Sequence, residues 1–203
     1  MSKYSSTYWS SIPSAKEIEY GSQSRTISQK IRKVWNTILA RIAYRCPSNT
    51  LRIMFHRWRG CHIGDNCYIG QFCILDNLAP EYIYIEDNAN INADCMILTH
   101  FNPSPRFKDI FAAEVRPVQI KQEAMIAVRC TIMPGVTIGR FATVSAGIVV
   151  EKDVPDYNIL YMKSTLKYIN LEAILKKKRK LFCYYGYNGI SEAISNKQRH
   201  IGR

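Results

Sequence analysis

The sequence predicts a mainly β chain folded as a parallel β-helix of six-residue repeats. Three observations lead there. Ile120, Ile126, Ile132, Ile138, Val144 and Val150 stand six residues apart without a break, and the same step links Ile63, Ile69 and Leu75, then Ile85, Ile91 and Ile97. Four residues after most of these comes a compact apolar residue, as at Cys67, Cys73, Ala89, Cys95, Ala124, Cys130, Val136, Ala142, Ile148 and Val154. Neither a strand period of 2 nor a helix period of 3.6 produces this spacing. A short strand and a turn per repeat do, with three repeats closing one coil and stacked coils burying the aliphatic column.

The repeat slips twice. Leu75 to Ile85 spans ten residues, a four-residue bulge around "NLAPEY", and Ile97 to Ile120 spans twenty-three, an excess of seventeen. An irregular segment of the second length within a compact fold is usually functional or disordered. It opens on His100 and carries Pro103, Pro105 and Pro117, which cannot donate ladder hydrogen bonds and so keep the segment from stacking as another coil.

Ahead of the repeat, Ile27, Ile31, Val34, Trp35, Ile38, Leu39 and Ile42 fall at helical spacing with Lys and Arg between them. Leu51, Met54, Phe55 and Trp58 form a second short amphipathic helix ended by Gly60. Such helices can cover the open end of a β-helix. Past Val154, Asn170 starts a C-terminal basic helix. The organisation read from these features is an N-terminal extension over 1–24, a basic helical cap over 25–60, a β-helix over 61–155 with an extended loop at 101–117, and a C-terminal segment over 156–203.

Composition narrows the function classes. The net charge of +12 is concentrated at the two ends: Tyr20 to Gly64 holds nine basic residues and no acidic one, and Glu172 to Arg203 holds eight basic and two acidic. No apolar run approaches the roughly 18 residues of a membrane span, and the first residues show no secretory leader, so a cytoplasmic location is expected. The seven cysteines form no CxxC pair and match no zinc spacing. Cys67, Cys73, Cys95 and Cys130 occupy the compact inward position, where Cys serves as a small hydrophobe.

The chain resembles the hexapeptide-repeat acyltransferases, in particular the sugar and polysaccharide O-acetyltransferases related to galactoside and maltose acetyltransferases. The resemblance covers about Leu51 to Ile169 and rests on "PGVTIG" at Pro134–Gly139, "SAGIVVEKDVP" at Ser145–Pro155, and a Thr-His pair directly before a proline-containing loop. It implies a left-handed β-helix, against the usual crossover hand, and a homotrimer. It also implies acetyl-CoA as co-substrate, lying along the groove between neighbouring prisms, with no metal. Met125 stands where this branch often has tryptophan, and Ala127 where glycine is common.

By the same resemblance His100 matches the family's catalytic histidine. Acetyl transfer to a hydroxyl needs a base for the hydroxyl proton, and neutral imidazole suits that task near neutral pH. Ala127, Val128, Ser145 and Ala146 match the backbone-lined cofactor positions, with Lys152 nearby on the CoA side and Lys163 toward the CoA phosphates, while Gln71 and Asp76 fall near acceptor contacts.

The expected reaction is O-acetylation of a sugar hydroxyl on a bacterial surface polysaccharide or its precursor. The basic helices add an expectation of peripheral contact with an anionic membrane at its inner face, or else form only a solvated cap. A small acceptor such as an amino-sugar nucleotide or an antibiotic, and a non-catalytic scaffold, are the alternatives. A zinc enzyme would need three histidines on neighbouring coils, and only His62 and His100 border the repeat. The run Lys176–Lys180 reads as a solvated helix face, so no nucleic-acid partner is expected.

Overall fold

The computed structural model describes residues 6–9, 12–17, 27–107 and 110–162. Lys163, Cys183, His200, the basic run at 176–180 and the helix expected from Asn170 lie outside the described residues.

Three parallel sheets form the faces of a prism. The first stacks β2 (His62–Ile63), β5 (Ile83–Ile85), β10 (Val118–Ile120) and β13 (Thr137–Ile138). The second stacks β3 (Tyr68–Ile69), β6 (Asn90–Ile91), β11 (Met125–Ile126), β14 (Thr143–Val144) and β16 (Ile159–Leu160). The third stacks β4 (Ile74–Leu75), β7 (Met96–Ile97), β12 (Thr131–Ile132) and β15 (Val149–Val150).

Register follows the repeat. Ile63 pairs with Ile85, Ile85 with Ile120 and Ile120 with Ile138, so both insertions bulge out without shifting the aliphatic ladder. The aliphatic repeat residues from Ile63 to Val150 are no more than 2% exposed and belong to one continuous core. Corners between faces need left-handed backbone, supplied near φ +60° by residues such as Asn88, Asp94 and Arg129.

The inward cysteines fit this geometry for a reason beyond size. Each thiol donates to a carbonyl of the next coil: Cys67 to Glu86 at 3.1 Å, Cys73 to Asn92 at 3.0 Å, Cys95 to Ala127 at 3.0 Å and Cys130 to Ser145 at 3.1 Å. All six described cysteines are free and buried.

The repeat does not end where the sequence pattern placed it. Val154, read as a compact-position residue, instead bridges Ile138 on the first face, and β16 then pairs with β14, carrying the coil on to Leu160. A coil shortened by two residues produces the change.

The cap consists of α2 (Ile27–Arg45) and α3 (Asn49–Trp58), the latter N-capped by Ser48. Its orientation differs from the one the apolar pattern suggests. Of the seven apolar residues read on α2 only Leu39 is buried, and on α3 Leu51 and Trp58 face outward while Arg52, Ile53 and His56 point inward.

The first coil explains the polar inward side of α3, because its outer edge presents unpaired carbonyls that an apolar helix face could not satisfy. Arg57 donates to the carbonyls of Ile63 at 3.0 Å and Gly64 at 2.6 Å on the first face. Arg52 reaches Ile69 at 2.6 Å on the second face, where Asn49 also binds Cys67 at 3.0 Å. Arg59 donates to Leu75 at 3.1 Å and Asp76 at 2.7 Å on the third. Each face thus has its own arginine.

Described residues of the extended loop take part in a small separate sheet. β8 (His100–Phe101) pairs antiparallel with β9 (Glu114–Val115), and β1 (Lys16–Glu17) adds to β9 from the N-terminal extension. α1 (Ser6–Trp9) brings Tyr8 within 2.5 Å of His62 Nδ1, and His62 stacks on Tyr84 at 4.6 Å between ring centres.

Candidate active site

Both insertions leave the prism at one corner, where the third face turns toward the first. Asp76 begins the shorter one and Thr99–His100 the longer one, and the two coils are adjacent: the Asp76 N–H donates to the carbonyl of Ile97 at 2.9 Å. A four-residue bulge and a seventeen-residue loop far apart in the chain therefore share one wall.

Asp76 is the centre of the hydrogen-bond network there. Its Oδ2 accepts from the Thr99 N–H at 2.7 Å, the His100 N–H at 3.1 Å and the His100 ring Nδ1 at 2.5 Å. Its Oδ1 accepts from the Leu78 N–H at 2.7 Å. The carboxylate is wholly buried, whereas 31% of the His100 side chain is exposed. Burial alone would raise the Asp76 pKa, but the hydrogen bonds from Thr99, His100 and Leu78 outweigh it, and the net direction is down. An ionised carboxylate can only accept, so the imidazole proton sits on Nδ1 and the lone pair on Nε2.

Support for this pair reaches into the cap. Arg59, 1% exposed, holds the Asp76 carbonyl, and its Nη2 also donates to Asn77 Oδ1 at 3.1 Å. Thr99, fully buried, donates its hydroxyl to the carbonyl of Ala79 at 3.0 Å and ties the two insertions together. His56 is structural: burial, then Arg59 and Arg52, push its pKa down to about 3.

The residues singled out in the sequence divide between two corners. Asp76, His100 and Lys152 follow strands of the third face, whereas Gln71, Ala127, Val128, Ser145 and Ala146 precede them, at the corner between the second and third faces. Asp76, named as an acceptor contact, lies beneath His100 with its carboxylate out of solvent. The hydrogen bonds that Asp76, Thr99 and Arg59 make around His100 are not visible in the sequence pattern. Their one signal is that both insertions begin after third-face strands of neighbouring coils.

The second-to-third corner carries mostly small side chains. Ala127 and Ser145 are half-buried and Ala146 is exposed, and a Cβ added to Gly147 would meet nothing within 4 Å. Among the described residues no three His, Cys, Asp or Glu side chains are grouped to hold a metal ion.

No family model matches the chain. Over 127 residues it is 32% identical to "Putative acetyltransferase YvoF" of Bacillus subtilis (strain 168), covering 62% of this chain and 70% of that protein. The solved hexapeptide-repeat acetyltransferase VCA0836 from Vibrio cholerae O1 biovar eltor, complexed with acetyl coenzyme A, superposes with a TM-score of 0.50 at 19% identity, covering 68% of this chain and 86% of that one. A maltose O-acetyltransferase from Clostridium difficile 630 gives a TM-score of 0.48 at 21% identity, with 66% and 83% covered.

The chain belongs to the hexapeptide-repeat acetyltransferases. It is an acyltransferase, and its fold is the left-handed parallel β-helix that the resemblance implied.

Proposed function

We propose that the protein transfers the acetyl group of acetyl-CoA to a sugar hydroxyl, with His100 as general base and Asp76 as the residue that positions it. The observation that carries this reading is the 2.5 Å contact between His100 Nδ1 and the buried Asp76 carboxylate. It orients the ring and leaves Nε2 as the proton acceptor.

In the reaction His100 Nε2 takes the hydroxyl proton as the acceptor oxygen bonds to the thioester carbonyl carbon. The carbon–sulfur bond then breaks, and His100 returns the proton to the departing thiolate. Asp76 keeps its negative charge throughout and stabilises the imidazolium between the two transfers. The products are an acetyl ester and free CoA.

Ala127, Val128, Ser145 and Ala146 hold the donor through their backbone, and Gln71 stands in the same corner one coil beyond Asp94. Because these residues and His100 bracket the third face of a single prism, the catalytic histidine of one chain serves a donor held by the cofactor corner of another. A cyclic homotrimer satisfies that requirement. The sugar acceptor, as part of a surface polysaccharide or its precursor, is supported by the sequence resemblance around Pro134–Gly139 and Ser145–Pro155. We place the reaction in the cytoplasm, where acetyl-CoA is made.

The test is acetyl-CoA-dependent release of CoA with a panel of glycans, nucleotide sugars and antibiotics. Turnover with a glycan or sugar precursor supports the reading. Binding of acetyl-CoA with turnover only on an antibiotic replaces the acceptor class, and no binding of acetyl-CoA at all overturns it.

A further inference from the structure

The outward face of α2 is the largest feature that acetyl transfer leaves unused. Ile27, Ile31, Val34, Trp35, Ile38 and Ile42 are all exposed, from 44% at Ile38 to 78% at Ile27. At 100° per residue they fall within one stripe of about 100° running the length of the helix. The stripe that packs inward, Asn36, Leu39 and Ala43, is a different one. Lys30 and Arg41 lie along one edge of the apolar stripe and Arg45 continues it at the C-terminal end.

Charge decides what can cover this face. α2 carries Lys30, Arg32, Lys33, Arg41 and Arg45, and no acidic residue occurs between Tyr20 and Gly64. A second copy of the helix laid against it would oppose cation to cation with no carboxylate to offset them. An anionic bilayer satisfies both demands at once: acyl chains take the apolar stripe and headgroups neutralise the flanking Lys and Arg. No described helix is long and apolar enough to cross a membrane, so the contact is an in-plane one.

We infer that α2 is a peripheral membrane-binding helix, docking the enzyme on an anionic lipid surface through its exposed apolar stripe and basic flank. This reading is independent of the acetyl-transfer proposal, but the two connect through geometry. α2 is hydrogen-bonded to the base of the shorter insertion, Thr37 Oγ1 accepting from Asn77 Nδ2 at 3.1 Å, beside Asp76. A helix bound in the headgroup region therefore holds the catalytic corner near the bilayer, where a membrane-associated acceptor would be presented.

The experiment is flotation of the full chain with vesicles of equal parts phosphatidylglycerol and phosphatidylcholine, or of phosphatidylcholine alone, at low and high salt. The protein is expected to float with the anionic vesicles at low salt, to lose most of that binding at high salt, and to stay behind with the neutral ones. Lys30→Ala and Arg41→Ala each lower affinity about fivefold, the equivalent of ~1 kcal/mol per basic residue at the surface. Ile31→Glu with Ile38→Glu abolishes flotation while the circular dichroism spectrum and CoA release with a soluble acceptor stay unchanged. The inference is overturned if the wild type does not float with anionic vesicles at low salt, or if the double glutamate variant floats equally well. It is also overturned if that variant has a smaller oligomeric mass than the wild type, which would assign the face to a second copy of the chain.

Discussion

Arg59, at the end of the cap helix, holds the main-chain carbonyl of Asp76 at 2.7 Å, while the side chain of Asp76 holds the imidazole of His100 at 2.5 Å. The capped end of the prism and the corner that carries His100 are thus linked through one residue. A change in the cap should be felt in catalysis, and a change at Asp76 should be felt in both stability and rate.

Asp76→Asn tests the positioning role. Asparagine can no longer enforce a proton on Nδ1, so Nε2 loses part of its basicity in the productive orientation. The expected result is a fall in kcat of up to about a hundredfold with the KM for acetyl-CoA nearly unchanged, because Asp76 is buried beneath His100 and does not itself hold the donor. Equal loss in both parameters would indicate disturbed folding.

The same carboxylate gives a pH dependence with a definite sign. The Asp76 pKa is lowered in the folded protein, so the folded state binds that proton more weakly than the unfolded one. Its contribution to stability is complete above the ordinary aspartate value of about 3.9 and is lost as pH falls through the lower folded value. Urea unfolding of wild type and Asp76→Asn should therefore show a stability gap at neutral pH that narrows in that acid range.

Arg59→Met leaves the carbonyls of Leu75 and Asp76 without their cap donor. A loss of about 2 kcal/mol is expected for exposing or stranding these groups, read as a lowered denaturant midpoint. CoA release should also decline, because Asp76 loses its anchor. A variant as stable as the wild type would show that the arginine is dispensable to the edge.

Ile126→Ala, at the centre of the aliphatic column, removes a side chain with no exposed surface. A destabilisation of about 3 kcal/mol follows from lost burial and the cavity left behind. Thermal unfolding measures it directly.

The column itself was the most legible part of the chain. From Ile63 to Val150 every aliphatic step read at six residues is a buried ladder position, since stacked coils repeat one environment and one residue type meets it each time. The two insertions were legible as gaps, but not their meeting at one corner. That depends on how many faces intervene, and it is what turns Asp76 from an acceptor contact into the partner of His100. The cap was misleading for another reason. Its apolar pattern suggests an inward face, yet the open edge of a β-helix needs donors more than it needs apolar surface, and arginines took the inward positions.

The role of His100 is decided by single-turnover CoA release by the wild type, His100→Ala and Asp76→Asn with an acceptor sugar, alongside acetyl-CoA binding by each. Acetyl-CoA binding should be unchanged, with a loss of about 10²–10⁴-fold in rate for His100→Ala and a smaller loss for Asp76→Asn. If His100→Ala releases CoA to the acceptor at the wild-type rate, the base lies elsewhere and the pairing of Asp76 with His100 is purely structural.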